Sequence, residues 1–135
     1  MDDAKCRALK GELAAQPEPQ VVPIARFFDG NDDWGSIGCN LDPHPGVDEF
    51  RNVLVGLLSL PRVRAVYAQI SEADPGEGCW PFADTVLVVG DITPAELSRS
   101  VGVLRPNEVA EADVSSVPPA VASRHGAPAC VIWWD

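Results

Sequence analysis

The chain has 135 residues, 46% of them apolar, enough for one domain with a real core and too many for general disorder. Twenty acidic residues oppose ten basic ones, and the formal charge of −10 disfavours phosphate backbones, so nucleic acid is not an expected partner. The most apolar run, Val53 to Leu60, is far too short to span a bilayer, and the start "MDDAKCRALKGELAAQPEP" lacks the apolar stretch of a secretory leader; a cytoplasmic protein without a membrane segment is expected.

In chain order, Asp2 to Ala15 reads as a helix with a weak stripe of Ala4, Ala8, Leu9 and Leu13, closed by the prolines of "QPEPQ". Residues 1–19 thus form a helix and a Pro-rich linker ahead of an α+β core over residues 20–135. Val21 to Phe28 is rich in β-branched and aromatic residues and reads as a strand, with Pro23 placing it at a sheet edge. Ser36 to Leu41 alternates, with Ile37, Cys39 and Leu41 on one face, and reads as a half-buried strand paired with the preceding one through a hairpin.

"DPHPG" interrupts the chain. A helix then runs from about Val47 to Leu60, with Asp48 and Glu49 in its first turn and Pro61 after its end. Val63 to Ser71 is the next strand, with Val66, Ala68 and Ile70 on one face. "TVLVV", Thr85 to Val89, reads as a central strand buried on both faces. "TPAEL" sets Thr93 as the N-cap of a third helix, Pro94 at its first position and Glu96 at its third. Arg105 to Pro128 is a proline-punctuated connection with a short helical turn near Glu108 to Ala112, and "ACVIWW" closes the chain as a strand.

From Ser36 onward the order is β-α-β-β-α-β, which predicts a ferredoxin-like core. Both helices would cover one face of an antiparallel sheet and leave the other for solvent, loops or a partner. The N-terminal helix and the strand at Val21 would add to this core. A monomer and a homodimer are both compatible with it, and Pro23 argues against pairing through its edge.

Asp29, Asn31 and Asp33 alternate like the first ligands of an EF-hand loop, but Trp34 occupies the glycine position and Asn40 the glutamate position. A hairpin turn explains the segment better. Cys6, Cys39, Cys79 and Cys130 form no C-x-x-C pair, and Cys39 falls on an apolar face as a packed thiol would. Acids precede Cys79 closely, which weakens any thiolate there. No nucleophile elbow, P-loop, dinucleotide fingerprint or zinc-protease motif is present, and no catalytic residue, metal or cofactor is assigned. Of the adjacent Trp133 and Trp134, one must face the core and the other the opposite side of the sheet.

Two functional readings follow. The first is an acidic module that binds a basic protein, in the manner of an inhibitor or immunity protein, with Trp34, Asp33, His44, Trp80, Asp84 and Trp134 as candidate binding residues. The second is a small enzyme or ligand-binding domain using the loops around Asp29 to Asp33, His44 and Trp80. At "FFDGNDDWGSIGCNLDPHPG", "CWPFADTV" and "VIWWD" the sequence resembles a group of small uncharacterised bacterial proteins. That resemblance implies a bacterial cytosolic origin and brings no activity, cofactor or site residue with it.

Overall fold

The computed structural model describes residues 1–126 and 128–135. Helix α1 (Asp3–Ala14) begins at Asp2, whose carboxylate accepts from the Lys5 N–H, and it buries Cys6, Leu9 and Leu13. Strand β1 (Val21–Pro23) is followed by a short helix α2 (Ile24–Phe28), and then helix α3 (Val47–Gly56) leads into a 3-10 turn at Leu57–Ser59. Strands β2 (Val63–Glu72) and β3 (Phe82–Gly90) form a long antiparallel hairpin. Helix α4 (Pro94–Val101), strand β4 (Glu108–Glu111), helix α5 (Pro119–His125) and strand β5 (Ala129–Trp133) complete the chain. Ala127, within the connection expected from Arg105 to Pro128, lies outside the described residues.

The fold is α+β, as expected, with one five-stranded sheet in the order β1-β2-β3-β5-β4 and every ladder antiparallel. This is not the ferredoxin-like arrangement, because the strand expected at Ser36 to Leu41 does not form. Gly38 there has φ +63°, and Leu41 N–H bonds back to the Gly38 carbonyl, so the chain turns where a strand would continue. A β-carbon at Gly38 would also lie 2.6 Å from the Phe50 ring. A single parallel bridge, Ile37 to Ala83, stands in place of that strand.

The strand expected over Val21 to Phe28 is likewise corrected. It stops at Pro23, and β1 pairs with β2 instead of forming a hairpin with the next segment. Ile24, Phe27 and Phe28 then follow helical spacing, and all three are buried. A strand would have sent the two phenylalanines to opposite faces. The edge position inferred from Pro23 does hold. The helical turn expected near Glu108 is strand β4, and α5 was not anticipated.

The sheet carries a large core on one face, built from α1 to α4 against Val66, Ala68, Val86, Val88 and Ile132. Burying each valine or isoleucine of this set contributes about 1.5–3 kcal/mol. The other face holds a smaller cluster in which Val121 of α5 packs near Val21, Tyr67, Leu87 and Val89. The Tyr67 hydroxyl and His125 Nε2 lie 2.7 Å apart and fasten α5 to this face. Among the described residues, no helix is long and apolar enough to cross a membrane.

Candidate functional site

The acidic loop after α2 is organised by its own side chains. Asp33 caps a 3-10 turn at Trp34–Ser36 by accepting from the Gly35 N–H at 2.9 Å. Its other oxygen accepts from the Trp80 N–H at 2.9 Å and so ties this loop to the entry of β3. Asn31, only 1% exposed, accepts from the Asp33 N–H and donates to the buried Ser36 hydroxyl. Asp29 pairs with Lys5, and Asp32 pairs with the N-terminal amine. The Lys5 ammonium holds the Asp29 carboxyl below its ordinary range.

The alternating acids therefore face different partners rather than a common centre. Among the described residues, no group of three or more His, Cys, Asp or Glu is placed to hold a metal ion.

Trp34 stands on this turn with 60% of its surface exposed. Its ring stacks on His44, with centroids 5.0 Å apart and planes 25° from parallel. His44 in turn lies 5.4 Å from Phe50, and Phe50 lies 5.4 Å from Trp134. A continuous aromatic column thus runs from the surface into the core.

Both His44 nitrogens are engaged. The Gly46 N–H donates to Nδ1 at 2.8 Å, so the ring proton is on Nε2, which donates to the Ile37 carbonyl at 2.8 Å. Arg105 pins the same loop by donating to the carbonyls of Asp42 and Pro43.

All six candidate residues fall on this corner of the fold, but they differ in what they can offer. Trp34 is open to solvent. Trp80 is fully buried, and its indole N–H is without a hydrogen-bond partner. Trp134 is 2% exposed, and its indole N–H donates to the Leu104 carbonyl at 2.9 Å. Asp84 accepts from the Thr85 hydroxyl, and its backbone carbonyl accepts from the Trp134 N–H. Asp33 and His44 spend their polar atoms on backbone groups. Trp80 and Trp134 are core residues and are corrected as contact candidates; burial leaves them no surface for a partner.

Four surface cavities, of ≈ 640, ≈ 460, ≈ 400 and ≈ 280 Å³, have none of these six residues in their walls. Cys39, expected in the core, is exposed because no strand forms around it. Cys6 and Cys130 are the buried thiols, and burial pushes both above the ordinary thiol range.

Sequence reasoning missed Trp133, whose partner at the next position takes the core place and leaves it 38% exposed on the opposite face. It also missed Asn31 and Ser36 as buried polar anchors. The alternation of a two-faced strand could have separated Trp133 from Trp134, had the register of β5 been known.

Neither the curated proteins nor the solved structures include a match to this chain. A family model matches residues 4–132, nearly the whole chain. The chain belongs to that family, the uncharacterized protein YfbO family.

Proposed function

We propose that this protein is a non-enzymatic binding module that engages a basic protein through Trp34 and the acidic residues beside it. The observation that carries the reading is the exposed indole of Trp34, stacked on a histidine whose own ring is fixed by two backbone hydrogen bonds. An aromatic held in place before binding loses little side-chain freedom on contact, which is the condition for an interface anchor. The formal charge of −10 would speed encounter with a cationic surface. An inhibitor or immunity-type protein of the bacterial cytoplasm would have these properties.

A small enzyme at Asp29 to Asp33, His44 and Trp80 has less support. The polar atoms of Asp33 and His44 are committed to backbone partners, and Trp80 is enclosed. General acid–base work needs a group free to exchange a proton with a substrate.

The test is affinity enrichment from native lysate at low salt, with wild type and Trp34→Ala side by side. A basic protein should be retained by wild type, released as salt rises, and lost by roughly tenfold or more in the variant. Equal retention by the two forms, or no basic protein at all, would overturn the reading.

A further inference from the structure

We propose that the uncovered part of the second sheet face is a binding site for a small aliphatic amine, with its ammonium group between Trp133 and Glu108. The register places Gln69, Thr85, Trp133 and Glu108 in one row across four strands: Gln69 opposite Thr85, Thr85 opposite Trp133, and Trp133 opposite Glu108. Directly paired residues share a face, so these side chains stand together. The neighbouring row is Tyr67, Leu87, Val131 and Ala110 and is apolar apart from the tyrosine hydroxyl, which is turned to His125. A cavity of ≈ 400 Å³ lies over these rows, walled on one side by Ala112, Asp113 and Ser116. That volume is within the usual range for small-molecule sites.

The lining selects the ligand. Leu87, Val131 and Ala110 offer an apolar floor for methylene groups. Trp133 offers a partly exposed indole, which attracts a cation held over its face. Glu108 and Asp113 contribute negative charge at the rim, and no lysine or arginine is in the lining to offset it. The ion pairs formed among the described residues all involve other acids. Asp113 spends one oxygen on the Ser115 N–H, a bond that leaves its charge in place.

A metal ion would need several oxygens converging on one point, and no such group is found among the described residues. An organic cation needs only an aromatic face, nearby carboxylate and room for its chain. Gln69 and Thr85 supply further oxygens to accept from an ammonium group. The site is lined by different residues from the Trp34 corner and does not depend on the reading given for it.

The experiment is a titration of the isotope-labelled full chain with 1,4-diaminobutane, followed by amide and indole NMR signals, with 1,4-butanediol as the neutral analogue. Saturable shifts are expected at Gln69, Thr85, Glu108 and the Trp133 indole. Glu108→Gln and Trp133→Leu should each weaken binding roughly fivefold to tenfold, while Trp34→Ala leaves it unchanged. Dispersed spectra of each variant establish that it is folded. Four results would overturn the site: shifts spread over all acidic residues without saturation, equal shifts with the diol, unchanged affinity in both cavity variants, or binding of a lysine-containing peptide without binding of the free diamine.

Discussion

At the scale of single residues, hydrogen-bond partners decide what a promising side chain can do. The composition of "DGNDDWG" suggests ligand chemistry, yet Asn31 and Asp33 are spent on backbone and buried groups, and Asp29 and Asp32 on cations of α1 and the N-terminus. Trp80 shows the reverse case. Its indole N–H is buried without a partner, which costs about 1–3 kcal/mol. Trp80→Phe should therefore leave stability within about 1 kcal/mol of wild type or raise it, since the unpaired donor is removed along with some packing. Trp80→Ala should cost about 3–5 kcal/mol through the cavity it leaves. Urea unfolding of both variants checks this; a phenylalanine variant as unstable as the alanine one would mean that the N–H is satisfied after all.

At the scale of elements, local signals succeeded where a cap or a buried stripe was written in adjacent residues. The "TPAEL" signature gives α4 as expected: the Thr93 hydroxyl accepts from the Glu96 N–H and donates to its carboxylate. Glu96 also takes a hydrogen bond from Arg62, and that contact first, with Thr93 after it, holds its carboxyl below the ordinary range. Because its pKa is lowered on folding, its stabilising effect is present above the unfolded value of about 4.3 and is lost as pH falls through the folded one. Thermal melts of wild type and Glu96→Gln should thus differ near neutral pH and converge toward about pH 2. A gap that persists undiminished in acid would contradict this assignment. Elements fixed by distant partners were misread. Glu108 and Ala110 favour helix by propensity, yet pairing with β5 makes them a strand. The Ile24, Phe27 and Phe28 spacing was helical all along, but their β-forming residue types concealed it.

At the scale of the whole molecule, an excess of ten negative charges acts on the folded state by self-repulsion. Added salt screens it, so the thermal midpoint should rise between about 10 mM and 200 mM sodium chloride. A falling midpoint would mean that the ion pairs at Lys5, Lys10 and Arg62 outweigh the repulsion. The sequence by itself determined the α+β class, strands β2 and β3, helices α1, α3 and α4, and the split of the terminal tryptophans between two faces. Periodicity and caps are local properties, and a few neighbouring residues carry them. Only the tertiary structure decided that Trp134 enters the core, that Trp80 is enclosed, that Cys39 is exposed, and that Glu108 stands beside Trp133. Those outcomes depend on strand register and on contacts between distant segments, which no short stretch of sequence encodes.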